Sequence, residues 1–461
     1  MKNKISLLPV ILSCLLVNCF YLTGCTKRED IKASEVKPEV IITDSRATLI
    51  HLYKDTVYIL KGELERKEHE ELIVDAGTLI KVISDDFNSL GGIKVDPGGI
   101  IRINGTGNEP VVFTSNVFTG NQKENWTGIN ITGRASDNNL GAGDSTDFSG
   151  SISYLRIEFA ALTMNAVGSN TVVDNVMVSY TNSSGQLEAP SSFTFYGGSF
   201  NAKHLISYAC GGPADFYITN GYNGKLQQLI AYRNPLFGNT GLAPASALAG
   251  MLIENNNYGN VNATPLTNPS ISNLTILGPS AQNGSSLLYA DTTTAGFRTA
   301  ALVADGNAFF KIKNSLLAGF PEAALYINDG LTAANVEHFD AAIANSILQA
   351  NDSSRTFFLN PTVYLPYTSV DLKNYLLANS LNNRLFLNVT DFKIHDPFNY
   401  ELPGLTPDQN APVLTGADFT DPVFNDAFFD KVNYLGAIGD NNWLQGWTNF
   451  IPLRTNYNFA E

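Results

Sequence analysis

The stretch that decides the fold is Asn175-Val176-Met177-Val178, read together with its echoes. The echoes are Tyr154-Leu155-Arg156-Ile157, His204-Leu205-Ile206-Ser207, Gln228-Leu229-Ile230-Ala231, Asn273-Leu274-Thr275-Ile276, Asn314-Ser315-Leu316-Leu317 and Asn345-Ser346-Ile347-Leu348. Each copy opens on a side chain with a hydrogen-bonding tip, most often Asn. It then alternates with the period of a strand, not that of a helix. The copies start 21, 29, 24, 45, 41 and 31 residues apart. Counting 45 and 41 as two coils each gives a period of about 20–30 residues, the range of solenoids. One strand per coil, stacked on its neighbours, predicts an all-β parallel β-helix.

The same rhythm extends towards the N-terminus. Val57–Leu60, Leu72–Val74, Thr78–Val82, Gly92–Val95, Ile100–Ile103 and Val111–Thr114 read as short strands. Corner-forming residues separate many of them, as in Asp75-Ala76-Gly77 and Asp96-Pro97-Gly98-Gly99. Such corners need positive φ or a side chain that bonds its own backbone. At ~22 residues per coil, Val57 to Gln349 predicts roughly 13 coils rising ~4.8 Å each. Asn at one corner of successive coils can form an amide ladder along the axis.

From about residue 351 the rhythm breaks. Asp371–Asn382 reads as a short helix with Leu372, Tyr375, Leu376 and Leu381 on or near one face and Ser369 as its cap. Pro397, Pro403, Pro407 and Pro412 follow, then a tail with Trp443 and Trp447. This region reads as an irregular C-terminal cap over the exposed end of the stack. The expected organisation is 1–24 leader, 25–47 tether, 48–350 parallel β-helix and 351–461 capping region.

Of 461 residues, 44% are hydrophobic and only 16% charged, enough apolar material for a long core. The net charge of −14 excludes nucleic acid as a partner, because phosphates need a basic footprint. It argues equally against electrostatic docking on anionic lipid. Cysteines are Cys14, Cys19, Cys25 and Cys210, too few beyond the leader for a disulfide framework.

Lys2 and Lys4 precede an apolar run, Ile5–Leu16, too short and too interrupted for a mature membrane span. The run gives way to Leu22-Thr23-Gly24-Cys25, which resembles the lipobox of bacterial lipoproteins. That resemblance implies acylation of Cys25 and anchoring by several acyl chains, each contributing ~0.8 kcal/mol per buried CH₂. Thr26-Lys27-Arg28-Glu29-Asp30 resembles the surface-export signal of Bacteroidota lipoproteins.

A broader resemblance rests on phrases in order along residues 48–452. They include Tyr58-Ile59-Leu60-Lys61-Gly62, Gly77-Thr78-Leu79-Ile80, Trp126-Thr127-Gly128-Ile129, Tyr154-Leu155-Arg156-Ile157-Glu158-Phe159 and Asn442-Trp443-Leu444-Gln445-Gly446-Trp447. Together they resemble a family of Bacteroidota right-handed parallel β-helix lipoproteins. The resemblance implies an outer-membrane-associated solenoid, often accompanied by a TonB-dependent receptor, and no established activity. Where that family carries acidic pairs before a Phe and a Gly-Gly, this chain has Ser191-Ser192-Phe193-Thr194-Phe195-Tyr196-Gly197-Gly198. Of a second acidic cluster it keeps Asp215 alone.

Catalytic chemistry on this fold needs paired carboxylates ~5–10 Å apart, or a base beside cation-binding acids. The central acids are Glu158, Asp174, Glu188, Asp215 and Glu254, and none repeats with a basic partner at one coil's spacing. Arg156 and Glu158 read as a surface ion pair. Asp137, Asp144 and Asp147, in a loop with Asn138 and Asn139, are the candidate Ca²⁺ ligands, by oxygen count. No other cofactor is expected. The five histidines lack zinc spacing. Phe193, Phe195, Tyr196, Phe216 and Tyr217 are either core or a row on which sugar rings stack. The expected function is a non-catalytic outer-membrane surface lipoprotein that captures a ligand, such as a carbohydrate, or docks on a TonB-dependent receptor. A carbohydrate-cleaving enzyme and an adhesin or structural surface protein are the alternatives.

Overall fold

The computed structural model describes residues 37–457 apart from 45–46, 84–90, 117, 120–121, 124–125, 182–188, 235–246, 279–297, 339–341, 361–367 and 400. The leader 1–24, Cys25, tether residues 26–36 and Glu188 lie outside the described residues.

Each copy of the opening phrase begins on a left-handed residue. φ is 48° at Tyr154, 52° at Asn175 and His204, 59° at Gln228, 57° at Asn273, 56° at Asn314 and 49° at Asn345. That conformation costs most L residues about 1–2 kcal/mol, and Asn tolerates it best. The repeat is therefore a backbone requirement. One left-handed residue bends a long strand, so that Gly150–Glu158 pairs with Ile100–Asn104 before Tyr154 and with Val111–Ser115 after it. A further bend, at Asn382 with φ 51°, sits outside any copy of the phrase.

Register is continuous through the middle of the molecule. Leu155 pairs with Val176, Val176 with Leu205, Leu205 with Leu229 and Leu229 with Leu274, all parallel. The last pairing corrects the coil count. The spacings of 45 and 41 are single coils with long connections, since Leu229 meets Leu274 and Thr275 meets Leu316 directly. The ladder fixes only strand residues, and a longer corner loop adds little closure entropy. The second sheet accordingly has ten parallel strands among the described residues, from Glu63–Arg66 to Phe357–Leu359, fewer than the coil count predicted from the spacing.

Inward side chains form one hydrophobic core. Phe193 stacks on Phe216 with ring centres 4.9 Å apart, and Phe195 meets Phe200 edge-on at 4.9 Å. Each fully buried aliphatic side chain contributes about 1.5–3 kcal/mol.

The Asn column does not form the predicted amide ladder; its amides reach the tail instead. Asn273 Nδ2 donates to Tyr434 O at 2.9 Å, and Asn314 Nδ2 to Asp418 O at 3.1 Å. Asn345 Nδ2 approaches Gly416 O at 3.5 Å. Asn314→Gly keeps the bend and loses the amide, whereas Asn314→Val loses both. Thermal melts should rank wild type above Gly above Val, with the Val variant about 2 kcal/mol or more below wild type. Equal melting of the Gly and Val variants would count against a backbone role for this position.

The helix near the end spans Ser369–Leu376, and its N-cap is Thr368 rather than Ser369. Asp371 Oδ2 accepts from Thr368 N at 2.7 Å and completes a capping box, while Ser369 Oγ accepts from Leu359 N. Leu372, Leu376 and Leu381 are buried against the last coils. A second helix, Gly330–Glu337, is capped by Asp329 and carries no sequence periodicity that marks it.

The tail beyond Pro412 is a strap along the bent face. It contacts Asn314 at Asp418 and reaches the coil of Lys203 at Asp430. It then doubles back to Asn314 at Gly436 and descends to Tyr154 at Trp447. Beneath it lies an outward row in register, Met177, Ile206, Ile230, Thr275 and Leu316, all buried. Trp443 and Trp447, expected over the end of the stack, pack instead on this flank, against His204 and Tyr154.

Candidate functional site

The central acids are held in different ways by the fold. Asp215 is fully buried and accepts from Arg233 Nε at 2.8 Å and from Ser207 Oγ at 2.6 Å. The Arg233 guanidinium also donates to the carbonyls of Cys210, Gly212 and Ala249. Burial pushes the Asp215 carboxyl up, and Arg233 opposes it. Cys210 is buried beside this pair, with Thr181 Oγ1 3.3 Å from its sulfur. Arg156 and Glu158, expected at the surface, are both buried, and Asn449 of the strap reaches Glu158. Covering by the strap is the reason. Asp174 bonds His204 Nδ1 at 2.7 Å.

Asp137, Asp144 and Asp147 serve their own loop. Asp137 Oδ1 accepts from the amides of Asn139 (2.7 Å) and Leu140 (3.2 Å). Asp144 Oδ1 accepts from the Thr146 hydroxyl and amide, which hold its carboxyl below the usual range. Asp147 Oδ2 accepts from Ser149 Oγ. The asparagines turn to a second loop: Asn138 Nδ2 donates to Asn255 O, and Asn256 Nδ2 to Asn138 Oδ1 and Asn139 Oδ1. Among the described residues, no three His, Cys, Asp or Glu side chains gather as a metal-ligand set.

The aromatic stripe splits by strand parity. Phe193, Phe195 and Phe216 point into the core, while Tyr196 and Tyr217 stand on the outer face of the second sheet. Two outward rows run up this face. One holds Thr194, Tyr217, Leu252, Val303, Tyr326 and Phe358, in register. The other holds Asn165, Tyr196, Thr219, Glu254, Asp305 and then Asn328 and Asn360. Asn328 Nδ2 donates to Asp305 Oδ2 at 2.6 Å and Asn360 Nδ2 to Asn328 Oδ1 at 2.9 Å, so an amide ladder exists, on this sheet rather than at the bends.

Tyr196 and Tyr217 meet at 78° with ring centres 5.9 Å apart, and the Tyr217 hydroxyl donates to Glu254. Burial first, and then the Glu254 carboxylate, pushes the Tyr217 phenol far up, so it stays a donor. Tyr258, on the loop locked to Asn138 and Asn139, is 80% exposed at the edge of the same face. The connections into the strands beginning at Phe193, Ala247 and Arg298 include residues 182–188, 235–246 and 279–297, outside the described set.

Stacked parallel coils with a furnished outer sheet face define a parallel β-helix protein. The chain matches the model of the pectate-lyase like beta helix domain over residues 44–364 and belongs to that family. No curated relative and no solved structure matches it.

Proposed function

We propose that this protein is a non-catalytic surface lipoprotein of the bacterial outer membrane. It captures a polyhydroxylated ligand on the outer face of the second sheet, beside a TonB-dependent receptor. The observation that carries capture is the paired rows of that face. Tyr217 packs against the buried Leu252, Val303 and Tyr326 of its row, and beside it the half-buried Tyr196, Glu254, Asp305, Asn328 and Asn360 form a polar row at one-coil spacing. Sugars are held by this combination of ring stacking and directional hydrogen bonds. The non-catalytic reading draws on how the central carboxylates are held: Asp215 in a buried ion pair, Asp174 by His204, Glu254 by a tyrosine hydroxyl. The anchor draws on Cys25 at the end of the apolar leader.

The test has two arms. Calorimetric titration with neutral oligosaccharides should show binding that Tyr217→Ala weakens by about tenfold, the effect of one lost stacking residue of ~1.4 kcal/mol. Shortened oligosaccharides in the same mixtures would replace this reading by a carbohydrate-cleaving one. Cys25→Ser should release the protein from membranes, and a receptor should co-purify with the wild-type lipoprotein. Unchanged membrane retention or the lack of any membrane partner would remove the anchor and docking parts.

A further inference from the structure

One tyrosine of this face differs from the others in its surroundings. Tyr196 and Tyr217 are half-buried, whereas Tyr258 is 80% exposed. Burial pushes the Tyr196 phenol up, and the Glu254 carboxylate and then the Tyr258 phenol add to the effect, so Tyr258 stands beside Tyr196. An exposed ring on a loose loop must be ordered when it binds, which costs affinity. The backbone under Tyr258 is already fixed. Asn256 Oδ1 accepts from the amides of Tyr258 at 2.9 Å and Asn260 at 3.2 Å, and Gly259 N closes a turn on Asn256 O at 3.0 Å. Asn257 N donates to Asn220 Oδ1 at 3.0 Å. The buried Asn255 amide donates to the carbonyls of Val261 and Ala263. From the other loop, Asn139 Nδ2 donates to Asn257 Oδ1 at 3.3 Å.

The platform is also uncharged. Residues 138–143 and 255–263 hold seven asparagines and no Asp, Glu, Lys, Arg or His, in a chain of net charge −14. Asp137, just before the first stretch, is 2% exposed and bonded within its own loop. Asn139, Asn260 and Asn262 are exposed on the same two loops as Tyr258. A side-chain amide carries donors and an acceptor together, so it can serve a hydroxyl in either role. A held tyrosine ring suits the C–H face of a sugar, and amides around it suit the hydroxyls. Neither offers a carboxylate a countercharge.

We propose that Tyr258 is the stacking platform of the capture face, and that the ligand is an uncharged hexose polymer rather than a polyuronate. The inference rests on the capture reading above and names both the ring and the ligand class. The sugar ring lies on Tyr258, and its hydroxyls exchange hydrogen bonds with the exposed amides of the two loops.

The experiment is calorimetry with hexamers of β-1,4-linked glucose and of β-1,4-linked mannose, each beside the β-1,4-linked uronate hexamer of the same backbone. A neutral hexamer should bind the wild-type protein about tenfold or more tighter than its uronate counterpart. Tyr258→Ala should weaken that binding about tenfold or more, and Tyr258→Phe, which keeps the ring, should bind like the wild type. Both variants should melt like the wild type, because the side chain is largely outside the fold. Wild-type affinity in Tyr258→Ala, or loss of affinity in Tyr258→Phe, overturns the platform and leaves capture standing. Equal or tighter binding of the uronates overturns the ligand class and also leaves capture standing. Binding of no hexamer overturns both this inference and the capture reading.

Discussion

Truncation after Pro412 is expected to leave the protein insoluble, or to lower its melting temperature by about 10 °C or more. The strap is the reason. Met177, Ile206, Ile230 and Leu316 point outward from the coils, yet each is at most 2% exposed. Returning four such side chains to water costs roughly 6–12 kcal/mol, at about 1.5–3 each. It also opens a continuous apolar row on a strand-rich surface, which invites association. The fit is close: a Cβ on Gly436 would lie 2.6 Å from Leu316 Cδ1 and 2.7 Å from Thr275 Oγ1, at φ +79°. Gly436→Ala should therefore reproduce part of the loss without deleting anything, by lifting the strap. Trp447→Ala should cost about 3–5 kcal/mol by removing a buried indole packed on Tyr154. A truncated chain that melts like the wild type would show that the strap contributes nothing to the stack.

The strap also has an acid limit. Burial alone would push Asp418 up, but the Lys313 ammonium and the Thr420 hydroxyl and amide hold it down at about 2. Lys225 holds Asp426 low in the same way. Both folded-state values lie below the ordinary 3.8, so these pairs contribute fully above about pH 4 and lose their contribution as pH falls towards 2. Acid unfolding should begin at the strap, with Trp443 and Trp447 fluorescence changing before the far-ultraviolet signal of the coils.

The second large effect is expected at the buried pair. Asp215→Ala should cost about 3–5 kcal/mol, because it leaves the Arg233 guanidinium charged, at 1% exposure, without its carboxylate. Arg233→Ala should cost a similar amount, stranding Asp215 and three carbonyls. The double variant Asp215→Leu with Arg233→Met should recover most of the loss, since a matched apolar pair carries no desolvation penalty. Chemical denaturation of the two single variants and the double one reads the coupling directly. If the double variant is as unstable as the sum of the singles, the two groups do not act as a pair.

Other features divide between sequence and structure for specific reasons. The bend column is legible because a left-handed residue constrains its own identity. Asn175, Asn273, Asn314 and Asn345 record that constraint locally, with φ between 49° and 57°. Two residues beyond Asn273, Thr275 faces the strap, and its hydroxyl accepts the Ala437 amide at 2.8 Å. No neighbour of Thr275 announces that contact. The strand phrases of residues 57–114 are legible because alternation and corner residues act within a few positions of each other.

The coil count is not legible in that way. Nothing local distinguishes a 45-residue spacing made of two coils from one coil with a long connection, and only the pairing of Leu229 with Leu274 decides it. The same holds for the aromatic stripe. Phe193 and Tyr196 lie in one strand, and the sheet's parity sends the first to the core and the second to the outer face.

By itself, then, the sequence determined the stacked-coil architecture, because strand alternation and left-handed bends are written in neighbouring residues. Only the tertiary structure decided which outward row is covered by the strap, which acids are paired and which tyrosines reach the surface. Those outcomes depend on contacts between residues far apart in the chain, such as Glu158 with Asn449, 291 positions away, and no local pattern carries them.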